Sequence, residues 1–242
     1  MLVWATDVLT RTHELYRELS DSIAGRKGSV VVATSMSVGS YVLPQRLVDF
    51  RRHHPDGEIA VMVTTPRDAM NAVREGQADF AISILDPQYE MSGLDVAPVG
   101  TDELVLVCAA NSSAPMRPLT RKEINGMTFV AAQRQSARRM IEDGALLELG
   151  IVRKNVVLEF GHAEAMKRAV RSGIGMAFLF RSSIADELIS GTLRLLKVKD
   201  MRLEVPICLV RRRDKFLSPF QKALFDYLGR EVTDQSVAKE PQ

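Results

Sequence analysis

Two stretches of this chain nearly repeat each other at one fixed distance. Ala72-Val73-Arg74-Glu75-Gly76 returns as Ala169-Val170-Arg171-Ser172-Gly173, 97 residues later. Each copy leads into a short apolar run, Phe80-Ala81-Ile82 in the first and Met176-Ala177-Phe178-Leu179 in the second. The same offset aligns what comes before: Val30-Val31-Val32-Ala33-Thr34 falls on Met127-Thr128-Phe129-Val130-Ala131, and Ile59-Ala60-Val61-Met62-Val63 on Val156-Val157-Leu158-Glu159-Phe160. Agreement of three segments at one offset is what two equivalent α/β lobes produce, and such lobes are built to enclose a ligand.

The 242 residues suffice for two domains of about 100 residues each. A hydrophobic content of 46% can fill a real core, and a formal charge of +2 leaves no overall electrostatic footprint for nucleic acid. The basic runs Arg51-Arg52, Arg138-Arg139 and Arg211-Arg212-Arg213 read as solvated surface. No apolar stretch approaches the roughly 20 residues of a membrane-spanning helix, and Met1-Leu2-Val3-Trp4-Ala5-Thr6-Asp7 is not a secretory signal, so a cytoplasmic location is expected. Cys108 and Cys208 lie in β-like runs and are expected as buried free thiols.

Leu2 to Ala24 reads as one helix. Leu2, Ala5, Val8, Leu9, Thr12, Leu15, Leu19 and Ile23 recur at spacings of three and four, and Gly25 is a suitable residue just past its end. Its apolar stripe needs a partner surface, either a second copy of the same helix or the helix's own domain. The first lobe follows as strand (30–34), a Ser/Gly turn (35–40), helix (43–53), strand (59–63), helix (66–74) and strand (80–84). Glu103 to Cys108 is a further strand, and the passage to the second lobe comes after it. That lobe runs strand 128–132, helix 136–149, strand 156–160, helix 163–171, strand 175–179 and helix 182–188. Leu203 to Val210 returns the chain to the first lobe, with Pro206 implying a sheet edge or a bulge, and a helix near 218–228 packs on the first sheet. Alternating strands and helices imply parallel pairing and an open sheet. Two crossings between lobes make a double hinge with a cleft, and ligands of open α/β sheets bind outside the carboxyl ends of the strands.

These residues resemble a known family. Gly28-Ser29-Val30-Val31-Val32-Ala33-Thr34, then Leu43-Pro44, Phe50 and Pro55, are similar to the start of the effector-binding domain of LysR-type transcriptional regulators. So are Arg74-Glu75-Gly76-Gln77-Ala78-Asp79-Phe80-Ala81-Ile82, the strand 103–107, the segment 164–177 and Gly191-Thr192-Leu193. The resemblance covers roughly Leu2 to Gly229. It implies two Rossmann-like lobes joined by two crossover strands, the type II periplasmic-binding-protein-like arrangement, preceded by a long N-terminal linker helix. The expected division is 1–25 linker and dimerisation helix, 28–107 plus 208–230 lobe I, 108–207 lobe II, and 231–242 a disordered tail. The resemblance further implies a small-molecule effector in the cleft, a homodimer or homotetramer, and control of transcription. The family's winged helix-turn-helix DNA reader precedes the linker helix and is not in this sequence, so contact with DNA is expected only through a region outside it.

The candidate ligand-binding residues are Ser35, Met36, Ser37, Thr64, Thr65, Ser136, Arg138, His162 and Phe178. Thr34-Ser35-Met36-Ser37 follows the first strand and opens a helix, and hydroxyls beside a helix N-terminus suit an anion. The family places effector contacts at this turn; the bland alternative is capping by Ser37 or Ser40. Thr64 and Thr65 end the second strand and either point a hydroxyl into the cleft or terminate the strand. Gln133 to Arg138 is the matching turn of the second lobe, where Ser136 suits an N-cap and Arg138 can pair with a carboxylate. His162 follows a strand at the cleft side, and a lone histidine there is more often a structural residue than a ligand contact. Phe178 offers an apolar wall or core packing.

Nothing marks an enzyme. His13, His53, His54 and His162 lack metal-ligand spacing, and no Gly-x-Gly-x-x-Gly, P-loop or Gly-x-Ser-x-Gly elbow occurs. No cofactor, metal or membrane partner is expected. The leading reading is a ligand-sensing domain that binds a small, anionic effector. The rivals are a solute-binding protein of a transport system, which shares the fold but carries an export signal, and a ligand-free dimerising short form.

Overall fold

A computed structural model describes residues 8–9, 11–13, 15–16, 28–85, 88–199 and 202–230. Its elements are β1 (Ser29–Ser35), a π-helical turn (Val38–Val42), α1 (Leu43–His53), β2 (Glu58–Thr64), α2 (Pro66–Arg74), β3 (Phe80–Ile84), β4 (Leu94–Ala109), α3 (Arg121–Asn125), β5 (Thr128–Ala132), α4 (Ala137–Glu148), β6 (Asn155–Phe160), α5 (Ala163–Arg171), β7 (Ala177–Phe180), a 3-10 turn (Arg181–Ile184), α6 (Ala185–Ile189), β8 (Leu193–Leu195), β9 (Glu204–Arg212) and α7 (Pro219–Leu228).

The chain forms two compact units, Met1–Thr101 with Pro206–Gln242, and Asp102–Val205. β4 and β9 each run across a boundary between them. In the first unit the strand order is β2-β1-β3-β9-β4. β1 pairs parallel with both β2 and β3, and β9 runs antiparallel to β3. In the second unit β5 and β6 pair parallel, and the second part of β4 pairs antiparallel with β7 and β8. The repeated pentapeptide has a structural reason. Each copy ends a helix, α2 or α5, and turns the chain into the next strand. Gly76 has φ 69° and Gly173 φ 82°, left-handed values that a side chain resists.

The core of the first unit gathers Ala33, Met70, Val73, Ala81, Cys208 and Val210. On the other face, Phe80 meets Phe225 of α7 edge to face at 5.2 Å between ring centroids. α7 starts on a capping box in which Ser218 and Gln221 satisfy each other's backbone N–H groups. Both cysteines are free and buried, and burial pushes each thiol up from its ordinary range, so both are poor nucleophiles.

Four sequence expectations are corrected. There is no Ser/Gly loop at 35–40: Met36 and Ser37 are already helical and a π turn continues into α1. Gly39 permits this close packing, because an added Cβ would lie 2.6 Å from Thr34 Cγ2. β4 begins at Leu94, well before Glu103, although Pro98 interrupts its pattern. Pro206 does not mark an edge strand, since β9 lies between β3 and β4; the pairing with β3 starts only at Ile207, so the missing N–H costs no bond to β3. The stretch 182–188 is a 3-10 turn running into a short helix. The expected helix over 2–24 falls largely outside the described residues; Val8, Leu9, 11–13, Leu15 and Tyr16 are helical, and Val8, Leu9, Leu15 and Tyr16 are exposed. The expected tail at 231–242 also lies outside them.

One buried ion pair closes the first unit. Asp79 accepts the Val31 N–H at 2.7 Å and the Lys215 ammonium at 2.9 Å, and both side chains are almost fully buried. Removing one partner strands the other charge in a medium that cannot solvate it. Lys215→Met is therefore expected to lower the unfolding free energy by about 3 kcal/mol, read from urea denaturation. A loss under about 1 kcal/mol, the range of an exposed pair, would contradict this.

Candidate functional site

Parallel strands leave the sheet on a common edge, and in the first unit that edge is made by the ends of β1 and β2. The register sets Ser35 beside Thr64. Thr34 is fully buried and its hydroxyl donates to the Ile82 carbonyl at 2.6 Å. Ser35 is 2% exposed, and its Oγ has no hydrogen-bond partner among the described residues. A buried hydroxyl without a partner is costly and calls for an explanation. Met36 is exposed, while Ser37 is nearly buried and makes no side-chain cap. The chain enters its helix at once, so the first N–H groups of that helix have no carbonyl a turn before them within the helix. The adjoining π turn is a local irregularity of the kind found at functional sites. Thr65 serves the fold, accepting the Asp68 N–H at 3.1 Å and so capping α2.

The second unit repeats the layout with different chemistry. Ser136 caps α4, accepting the Arg139 N–H at 3.1 Å and donating to the Gln133 carbonyl at 2.7 Å. Gln135, just before it, has φ 63°, the one left-handed non-glycine among the described residues. His162 caps α5, its Nδ1 accepting the Ala165 N–H at 3.3 Å. Phe178 lies in the core, 0% exposed and stacked on Phe129 at 6.0 Å, so its ring has no accessible face for a ligand.

Arg138 differs from these. Its Nε donates to Glu142 Oε1 at 2.7 Å, and its guanidinium lies 5.7 Å from the centre of the Phe180 ring. Its Nη2 is buried and has no partner among the described residues. Glu142 is 0% exposed and also takes Arg153 Nη1 at 2.8 Å. Arg153 continues to Asp143, which Arg139 also holds at 2.6 Å. Burial alone would raise the Asp143 carboxyl, but the two arginines more than offset it and hold it below its ordinary value. Burial lowers Arg153, and the charge of Glu142 with the hydrogen bonds of both acids outweighs that, so it stays a cation. The sequence allowed the Arg138–Glu142 pair to be read, since i and i+4 share a helix face. It held no sign of Arg153, which reaches Glu142 only through the turn after α4. No cluster of three or more metal-ligating side chains occurs among the described residues.

Four buried side-chain polar atoms lack a partner among the described residues: Ser35 Oγ, Arg46 Nη1, Arg138 Nη2 and Glu187 Oε2. Two of these four belong to the equivalent strand-to-helix passages of the two units. Ser35 offers a hydroxyl, and Arg138, held at Nε by Glu142, offers one guanidinium nitrogen that no group among the described residues takes up. This is donor chemistry for an anion, and it offers no nucleophile paired with a base.

The LysR substrate-binding domain model matches residues 24–233. The chain belongs to the LysR-type transcriptional regulators. It is similar to a probable RuBisCO transcriptional regulator of Emiliania huxleyi, 26% identical over 236 residues, covering 94% of this chain and 75% of that protein. The fold is that of the CcmR regulatory domain of Synechocystis PCC6803 in complex with 2-PG, with a TM-score of 0.74, 21% identity and coverage of 84% and 96% of the two chains. It is also that of the effector-binding domain of QuiR in complex with shikimate, with a TM-score of 0.70, 17% identity and coverage of 83% and 95%. The LysR-type domain is thus the ligand-sensing, regulatory part of a transcription regulator, and the relatives are regulators rather than enzymes. No helix among the described residues is long and apolar enough to cross a membrane.

The hydroxyls separate by what they bond. Ser136→Ala is expected to destabilise the fold by about 1 kcal/mol, the usual cost of a lost cap. Ser35→Ala, which removes a costly buried hydroxyl and no hydrogen bond, is expected to leave stability unchanged or raise it by about 1 kcal/mol. Phe178→Ala should cost about 3–5 kcal/mol. Denaturant midpoints check all three, and a Ser35→Ala loss equal to that of Ser136→Ala would show that the Ser35 hydroxyl has an internal partner.

Proposed function

We propose that this domain senses a small organic anion, and that Ser35 in the first unit and Arg138 in the second are its recognising donors. The observation that carries the reading is that each unit leaves a buried donor unpartnered where a strand passes into a helix, Ser35 Oγ at the end of β1 and Arg138 Nη2 in the first turn of α4. In the first unit the Ser35 hydroxyl and the N–H groups opening the helix at Met36 and Ser37 form a compact set of donors with a favourable helix-end field. In the second unit the Arg138 fork is held by Glu142 with one N–H edge left over, which suits a carboxylate or phosphate oxygen. The related structures with 2-PG and shikimate support an acid of this size as the ligand class.

Thr64, beside Ser35, completes the first group. Ser136, Thr65 and His162 serve it indirectly by fixing the helix starts. The effector acts through differential affinity: a ligand that binds one conformation better than another shifts the population toward it. The protein catalyses no reaction, uses no cofactor, works in the cytoplasm as a homodimer or homotetramer, and acts on DNA through a winged helix-turn-helix outside this sequence. The exposed apolar residues Val8, Leu9, Leu15 and Tyr16, each helical, support self-association.

Two experiments test this. A thermal-shift screen of small carboxylic and phosphorylated acids, shikimate included, should find ligands that stabilise by about 2.7 kcal/mol at 100 times their Kd. Ser35→Ala and Arg138→Met should each weaken such a ligand about tenfold; an unchanged Kd in both variants would contradict the site. In sedimentation equilibrium the chain should be dimeric or larger and lose that state when residues 1–25 are removed, and a monomer at high concentration would contradict self-association.

A further inference from the structure

The second unit carries a recess of about 540 Å³ whose lining includes neither Ser35 nor Arg138. It lies between α4 and the edge strand β6, within the size range of small-molecule sites. Four cations line it: Arg134, Arg139, Arg153 and Lys154. Asp143 is the single acid in the lining, with Glu142 and Glu159 engaging these arginines from beside it.

The charges do not cancel. Arg153, 1% exposed, is spent on Glu142 and Asp143. Arg139 is held by Asp143 and the Ala132 carbonyl. Arg134 pairs with Glu159, but its side chain is 77% exposed, so the pair is weak and exchangeable. Lys154 is exposed and has no carboxylate partner among the described residues. It is the cation left over. Buried arginines below and an unpaired ammonium on the rim make a recess that favours an incoming anion over a neutral ligand.

The walls define the rest. Met140 and Val156 add apolar surface beside the cations. Gln135 lines the same recess in its left-handed conformation, a position that costs a non-glycine residue free energy and that its surroundings must impose. Its turn is closed by the Ser136 N–H and hydroxyl, both donating to the Gln133 carbonyl.

We propose that this recess is a second anion site, taking the oxyanion group of a small carboxylate or phosphate monoester, with Lys154 and Arg134 as the binding cations and Met140 and Val156 against the apolar part of the ligand. It lies within one unit and stands independently of the Ser35 and Arg138 reading.

The test is an NMR titration of the whole chain with inorganic phosphate, sodium chloride being adjusted to keep ionic strength fixed. The Lys154 and Gln135 amides should shift along a saturating curve. Lys154→Glu changes an exposed side chain only and should weaken the apparent Kd about tenfold. Arg134→Gln should weaken it in the same direction, and Ser35→Ala should leave these shifts as they are. Shifts that grow linearly without saturation, a Lys154→Glu titration equal to wild type, or loss of the shifts in Ser35→Ala would each overturn the proposal. Loss of phosphate response at Met36 and Ser37 alone would count against the effector reading and not against this one.

Discussion

Parallel pairing is the constraint from which the rest follows. Once β1 lies parallel to β2 and β3, all three strands leave the sheet on one edge, and the backbone must turn there into helices or crossovers. The second unit applies the same constraint to β5 and β6. Every candidate residue except Phe178 sits at such an exit. Strand ends and helix starts bring together hydroxyls, N–H groups and the positive ends of helix dipoles, and the protein must either satisfy these groups internally or leave them for a ligand. Thr65, Ser136, His162 and Ser218 satisfy their own helices. Ser35 does not, and it is buried enough for the omission to be costly.

The second unit reaches a similar end through charge. Glu142, with no exposed surface, holds Arg138 on one side and Arg153 on the other. Buried ion pairs of this kind add little net stability, because desolvation consumes most of the attraction. Their value lies in direction. An arginine held at Nε by a buried acid presents its remaining edge in one orientation and loses little side-chain entropy when it meets an anion. The surface pairs of the same unit, such as Arg117 with Glu123, serve local order instead; the Arg117 hydrogen bond, helped by the Thr120 N–H and hydroxyl, pulls the Glu123 carboxyl down to about 2, and Glu123 with Thr120 forms the capping box of α3.

Much of the architecture was legible because it is periodic. The offset of 97 residues carries β2 onto β6, α2 onto α5 and the left-handed Gly76 onto the left-handed Gly173. What was illegible depends on contacts distant in sequence. Periodicity cannot tell that Pro206 sits inside the sheet order, or that Pro98 is carried within one long strand. The candidate residues divide in the same way. Composition identified the hydroxyls, but only packing separates Ser35, orphaned, from Ser136, doubly bonded. Phe178 read more readily as core than as a ligand wall, and Phe129 stacked on it shows it to be core. Arg153 was invisible because its partners come from another turn of chain.

Amide hydrogen exchange, compared with and without a saturating stabilising acid, reads ligand contact at the helix starts directly. If Ser35 and Arg138 hold the anion, exchange slows at the opening of the first helix, around Met36 to Val38, and at the start of α4, around Arg138. A ligand that stabilises the protein while leaving exchange at both helix starts unchanged would contradict that role.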